Sequence, residues 1–180
     1  MSVVLAAATS THVGAQTERC AWGEGKPLDL SCSLAENEVE AKRFSDKHQQ
    51  WYYVERPVQM AMLYSINTMF FGPPKSQVER RVGLTVTQGK GFKFVVISPG
   101  GFLFRANLAC RASDCPIDVR FDQGPLKTYS TRNANGVSMH VVDVEDFLRN
   151  IRVSKSVTIV FPFVEYGENP FLFDVSNYKW

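Results

Sequence analysis

Few features typical of membrane, metal-binding or nucleic-acid-binding proteins are present in this 180-residue sequence. No apolar run reaches the roughly 18 residues that a membrane helix needs. Basic and acidic side chains number 20 and 18, a formal net charge of +2, so no net field attracts nucleic acid or anionic lipid. Hydrophobic residues make up 44 % and charged residues 21 %, as in folded globular domains. We therefore expect one folded domain with no transmembrane segment and no nucleic-acid partner.

Motifs of catalysis are lacking as well. The sequence has no Gly-x-Ser-x-Gly nucleophile elbow and no Cys-x-x-Cys, and its histidines, His12, His48 and His140, are scattered. We therefore predict that the protein is not an enzyme, with no catalytic residue, no metal site and no cofactor. The alternative is a hydrolase whose site assembles from scattered residues such as His140 and Asp122.

The first 15 residues are apolar and small, and end in Val13-Gly14-Ala15. Val13 and Ala15, separated by one residue, fit a signal-peptidase site, but the basic n-region of a signal peptide is missing. We expect residues 1–15 to be a truncated signal segment and residues 16–180 to form a single β-rich domain. A disordered tail or a first strand are the alternatives.

Four cysteines follow this segment, at Cys20, Cys32, Cys110 and Cys115. An even number after a secretory-like segment favours disulfides, and three pairings are possible. Local pairing of Cys20 with Cys32 and of Cys110 with Cys115 closes the shortest loops. Free buried thiols in a cytosolic protein are the alternative. The cysteines therefore predict a periplasmic or secreted protein.

From Trp51 onward the apolar residues alternate with a period of two, which is typical of strands. One long strand is predicted to place six residues on one face, namely Met60, Met62, Tyr64, Ile66, Thr68 and Phe70. Further runs, separated by Gly and Pro turns, bring the total to eight to ten strands, about ten residues apart. The sequence thus predicts a mainly β fold, an antiparallel β-sandwich or an open barrel.

One segment departs from this period. Val144, Phe147, Leu148 and Ile151 recur at helical spacing, and Asp143 precedes them as an N-cap. We predict one short amphipathic helix near residues 143–152.

Aromatic residues are the candidates for binding. Trp51, Tyr52 and Tyr53 are adjacent, so on a strand they cannot all face the core, and we name them as partner-binding candidates. Four phenylalanines near basic residues are instead assigned to the core, namely Phe92, Phe94, Phe102 and Phe104.

The second half of the chain combines Cys110-x4-Cys115, Ile117-Asp-Val-Arg-Phe-Asp122, Gly124-Pro125 and Phe171-Leu-Phe-Asp-Val-Ser176. In residues 91–180 it resembles small uncharacterised periplasmic proteins of Gram-negative bacteria. It is more distantly similar to the invasion-associated locus B family, secreted β-sandwich proteins with paired cysteines and no established catalysis. The only functional residues that this resemblance implies for the present sequence are the paired Cys110 and Cys115.

Together these features predict a non-enzymatic periplasmic or secreted β-sandwich protein that binds a protein or a cell-envelope component. An accessory component of a secretion or conjugation apparatus is the alternative binding role, and the hydrolase above is the catalytic one.

Overall fold

The computed structural model describes residues 42–45, 47–55, 58–71, 77–99, 108–110, 114–134, 138–164 and 166–180. The predicted signal segment at residues 1–15, Cys20, Cys32, Phe102 and Phe104 all lie outside the described residues.

Most of the described residues belong to strands. In order these are β1 (Tyr52–Val54), β2 (Gln59–Tyr64), β3 (Met69–Phe71), β4 (Val78–Arg80), β5 (Val82–Gly89), β6 (Phe92–Pro99), β7 (Ile117–Phe121), β8 (Leu126–Tyr129), β9 (Thr131–Ala134), β10 (Ser138–Val141), β11 (Ser156–Phe163) and β12 (Gly167–Asp174). Helix α1 (Val144–Val153) connects β10 to β11, and residues 42–45 and 47–48 are also helical.

The strands form two main sheets. A six-stranded sheet has the order β1-β2-β5-β6-β10-β9, a four-stranded sheet has the order β12-β11-β7-β8, and β3 pairs with β4 alone. Neighbouring strands pair antiparallel throughout. Both main sheets contribute side chains to one buried cluster. The prediction of a mainly β, antiparallel fold is confirmed.

Strand β11 shows how the sequence pattern sets the core. Its buried residues alternate with half-buried ones, and the buried set is Val157, Ile159, Phe161 and Phe163. In a strand alternate side chains point to opposite faces, so this set points towards the six-stranded sheet. Pairing with β12 on one side and β7 on the other gives β11 the central place that its apolar sequence predicts.

The prediction of a single long strand that reaches Phe70 is wrong. Strand β2 ends at Tyr64, and the chain then crosses to the other sheet. The Ile66 amide donates to the Leu172 carbonyl at 2.7 Å, and the Leu172 amide donates to Asn67 Oδ1 at 2.8 Å. These bonds cover the free edge of β12, since an edge strand presents unpaired backbone groups. Because the chain crosses here, β2 stops at Tyr64, and the residues that follow protect the edge of β12 in the second sheet.

Helix α1 confirms the helix predicted at residues 143–152. The Asp143 carboxylate accepts a hydrogen bond from the Asp146 amide at 3.2 Å, which satisfies one of the unpaired amides of the first turn. Phe147, Leu148 and Ile151 are fully buried, as their spacing predicts. The helix therefore packs its apolar stripe into the core cluster that both sheets share.

Candidate binding surface

The cystine between Cys110 and Cys115 joins the two sheets. The two residues form a disulfide with their Cα atoms 4.9 Å apart, as the local pairing predicts. The Cys115 amide donates to the carbonyl of Thr131, at the start of β9, at 3.0 Å. On the other side, the Ala109 amide donates to the Pro162 carbonyl in β11 at 2.7 Å. The disulfide thus clips together backbone segments that are bonded to different sheets.

The three aromatic residues singled out from the sequence have different environments. Trp51 is only 3 % exposed and packs against the ring of Tyr178, with centroids 4.9 Å apart. The ring of Trp51 therefore belongs to the core and does not reach the surface. Tyr52 is half-buried on the opposite side of the sheet, 5.8 Å from the ring of Phe44.

Tyr53 is tied to the last described residues of the chain. Its hydroxyl accepts from the Lys179 amide at 2.8 Å and donates to the Asn177 carbonyl at 3.1 Å. Its ring meets that of Trp180 edge-on at 5.1 Å. Burial raises the pKa of Tyr53 above its usual value. The aromatic surface of Tyr53 is thus partly occupied by the protein itself, and a binding role for Tyr52 or Tyr53 stays a prediction.

Two phenylalanines that the sequence assigned to the core are instead on the surface. Phe92 and Phe94 in β6 are 40 % and 42 % exposed. The assignment is wrong because Val95 and Ile97, of the opposite parity, take the fully buried positions of the same strand. The rings of Phe92 and Phe94 stack nearly parallel with centroids 5.1 Å apart. We call these two residues the phenylalanine pair.

A glycine on the neighbouring strand makes room for this pair. Gly89 of β5 lies directly opposite Phe92. A Cβ atom at position 89 would overlap the ring of Phe92, so only glycine lets that ring lie across β5. Beside it is an open cleft of about 410 Å³, lined by Val58, Gln59, Gln88, Gly89, Lys90, Phe92 and Lys93. The hairpin end of β5 and β6 therefore combines exposed aromatic rings with a polar cleft.

The same side of the sheet continues over β10 and β9. Val96 pairs with His140, and His140 pairs with Arg132, so these three side chains share the face of the phenylalanine pair. Val96 and His140 are half-buried and Arg132 is exposed. Burial lowers the pKa of His140 below its usual value. We call the surface formed by Phe92, Phe94, Val96, His140 and Arg132 the β6 face.

Charge on the β6 face is of one sign. In the described parts of β5, β6, β9 and β10, none of the positions on this side of the sheet is Asp or Glu. Lys90, in the turn between β5 and β6, adds a second exposed cation. Lys93 has the opposite parity and is paired with Glu145 of α1 at 2.8 Å, which lowers the pKa of that carboxyl. Among the described residues of the β6 face and the adjoining turn, the charged side chains are Lys90 and Arg132.

Another polar cluster in the described part of the chain lies between β8 and α1. Asp146 accepts from the Tyr129 hydroxyl at 2.6 Å and from the Lys127 ammonium. Asn150 donates to both Tyr129 Oη and Asp146 Oδ2, at 3.1 and 3.2 Å. The hydrogen bond from Lys127 lowers the pKa of Asp146. An ionised carboxylate with this many donors joins the helix to the sheet and is a weak proton acceptor.

The residues named for a hydrolase are not brought together. His140 lies on the β6 face, whereas Asp122 follows β7 in the other sheet. The Asp122 carboxylate accepts from the Lys155 and Ser156 amides at 2.9 and 2.8 Å, and these bonds lower its pKa. Asp122 thus fixes the turn that precedes β11.

Within the described ranges, no three His, Cys, Asp or Glu side chains are grouped so as to hold a metal ion. No helix in those ranges has the length and apolar character of a membrane span. No protein family, curated protein or solved structure matches the chain. Similarity to the invasion-associated locus B family therefore stays a prediction.

Proposed function

We propose that the protein is a non-enzymatic binding domain of the periplasm or the extracellular space, and that it binds a protein or cell-envelope component through the β6 face. The observation that carries this proposal is the phenylalanine pair, whose rings are 40 % and 42 % exposed on a strand whose opposite face is buried in the core at Val95 and Ile97. Aromatic side chains are enriched at protein interfaces and supply much of their binding energy.

The position of the pair on the sheet favours binding. Strand β6 is bonded to β5 along its length and to β10 near its end, and Val95 and Ile97 anchor its other side in the core. A side chain on such a strand loses little conformational freedom when a partner covers it, so less binding energy is lost to ordering. The β6 face is therefore a preorganised surface.

The cystine supports the assignment of the protein to the periplasm or the extracellular space. Disulfides persist in oxidising compartments and are rare in the cytosol of mesophiles. Cys110 and Cys115 are bonded, and the described residues include no free thiol.

The absence of catalysis is proposed because the candidate groups have structural roles. Asp122 accepts two backbone amides, Asp146 joins α1 to β8, and His140 stands on a sheet face apart from both. Two hydroxyls also donate to these carboxylates, Ser156 Oγ to Asp122 at 3.3 Å and Tyr129 Oη to Asp146 at 2.6 Å. The lowered pKa of both carboxyls makes them weak bases for activating a hydroxyl.

Site-specific photo-crosslinking tests the proposal in the cell. The photoreactive residue p-benzoylphenylalanine replaces Phe94 in one strain and Phe70 in a control strain. Phe70 lies in β3, outside the two main sheets, and is 54 % exposed. We expect a discrete adduct from position 94 and none of the same mass from position 70, and mass spectrometry of the adduct identifies the partner. No adduct at position 94, or the same adducts at both positions, would contradict binding through the β6 face.

A further inference from the structure

The charge on the β6 face differs from that of the whole chain. Over the full sequence 20 basic and 18 acidic side chains nearly balance. Arg132 is exposed on the β6 face, and Lys90 is exposed in the adjoining turn, where it lines the same cleft as Phe92. In the described parts of β5, β6, β9 and β10, no carboxylate is on the side of the β6 face. Two cations without a carboxylate on the same surface give it a local positive potential, which is suited to an anionic partner.

The phenylalanine pair requires that the partner also present an apolar group. Its two rings stack on each other at 5.1 Å, and Phe92 also lies across Gly89, so part of each ring surface is already covered. Proteins that bind single-stranded nucleic acid present open ring faces on which bases stack. The arrangement therefore favours an apolar side chain resting on the exposed parts of the two rings over a stacked base.

Distances across the sheet set the length of the partner segment. Arg132 is two strands away from Val96, and Phe92, next to the turn that carries Lys90, is four residues away from Val96 along β6. With strands roughly 4.8 Å apart and a rise of roughly 3.3 Å per residue, the Cα atoms of Phe92 and Arg132 are about 16 Å apart. An extended chain covers that distance with about five residues, and reaches Lys90 with about two more.

We infer that the partner presents a short extended segment with a carboxylate near each end and apolar side chains between them, spaced every second residue so that all of them point to the sheet. The apolar side chains pack on the phenylalanine pair, and the carboxylates pair with Lys90 at one end and Arg132 at the other. This inference rests on the proposed function, and it adds the chemistry of the partner.

The test uses synthetic peptides of defined charge. A fluorescein-labelled heptapeptide of sequence Glu-Ser-Leu-Ser-Leu-Ser-Glu, which places both glutamates and both leucines on one side when extended, is compared with matched heptapeptides in which glutamine or lysine replaces glutamate. Fluorescence anisotropy of the peptides with the full chain measures affinity, and chemical-shift changes in ¹⁵N-labelled protein locate the binding surface. We expect the glutamate peptide to bind about tenfold more tightly than the glutamine peptide, with shifts concentrated in β6, β9 and β10.

Charge-removing variants locate the cations responsible. Lys90→Gln and Arg132→Gln should each weaken binding of the glutamate peptide about threefold, and the double variant should remove its preference over the glutamine peptide. Arg120→Gln is the matched control, because Arg120 is exposed on β7 of the other sheet and should leave affinity unchanged. Raising the salt concentration should weaken only the glutamate peptide.

The outcomes separate this inference from the proposed function. Equal affinity of the glutamate and glutamine peptides at the β6 face would overturn the charge requirement while binding at that face stands. No binding by any peptide, or shifts confined to other strands, would overturn the inference, and the crosslink at position 94 would still decide the proposed function. Tighter binding of an oligouridylate that depends on Lys90 and Arg132 would overturn it in favour of nucleic acid.

Discussion

Removal of the Leu148 side chain from helix α1 should be among the most destabilising conservative changes in the domain. Leu148 is fully buried in the core cluster, between Phe147 and the rest of the apolar stripe. Leu→Ala substitutions at such positions lose the transfer free energy of the side chain and leave a cavity, together about 3 kcal/mol. Since domains are stable by only about 5–15 kcal/mol, Leu148→Ala removes a large share of the total.

The effect is measurable by urea denaturation followed by circular dichroism. With a dependence of about 2 kcal/mol per molar urea, a loss of about 3 kcal/mol lowers the midpoint by about 1.5 M. Val153→Ala is the matched control on the same helix, because Val153 is 80 % exposed. That variant should change stability by less than about 0.5 kcal/mol.

The comparison also tests which side of the helix faces the core. Equal midpoints for Leu148→Ala and the wild type would mean that the stripe faces water. If Val153→Ala lowered the free energy of unfolding more than Leu148→Ala, the face of the helix that carries Val153 would have to be the one that faces the core. Leu148→Asp extends the series, because a buried unpaired charge costs several kcal/mol more and should abolish cooperative unfolding.

Three other predictions concern the cystine and the β6 face. Replacing Cys110 and Cys115 by Ser should lower the free energy of unfolding by about 2 kcal/mol, because the short loop is no longer closed in the unfolded chain, and an unchanged urea midpoint would contradict this. An NMR titration should give His140 a pKa below its usual 6.5, so relative to His140→Gln the wild type should lose stability as pH falls below that value; a pKa at or above 6.5 would refute it. Gly89→Ala should displace the Phe92 ring and weaken binding at the β6 face in a folded protein, whereas Gly83→Ala, whose added Cβ has ordinary contacts, should not.

The helix was predictable from sequence because its determinants are local. Asp143 and the stripe that begins at Val144 lie within about two turns of one another, and both N-cap and stripe behave as their spacing predicts. The Cys110–Cys115 pairing was predictable for the same reason, since the residues are five apart.

Features that depend on distant residues were not predictable. Strand β2 ends where it does because Ile66 and Asn67 bond to Leu172, more than one hundred residues later in the chain. Trp51 is buried because Tyr178 packs on it, and the sequence around neither residue predicts that contact. In both cases the local pattern is compatible with several pairings, and only the assembled sheets select one.

The β6 face was missed for a different reason, which the two strands β2 and β6 illustrate together. Both strands are apolar at even and at odd positions, so each must place one apolar set away from the core of a two-layer sandwich. In β2 the second set, Met60, Met62 and Tyr64, is 5 % exposed or less, and the Tyr64 amide donates to the Ser45 hydroxyl. In β6 the second set begins with the phenylalanine pair, which is about 40 % exposed.

One sheet face thus has a covered part and an accessible part. Burial of the β2 set shows that apolar side chains on this side of the sheet can be kept from water. The phenylalanine pair is held in a fixed arrangement, although its exposure costs the free energy that covering the rings would gain. A strand with two apolar faces in a sandwich therefore indicates a second contact surface, and in this protein the exposed part of that surface is the phenylalanine pair of the β6 face.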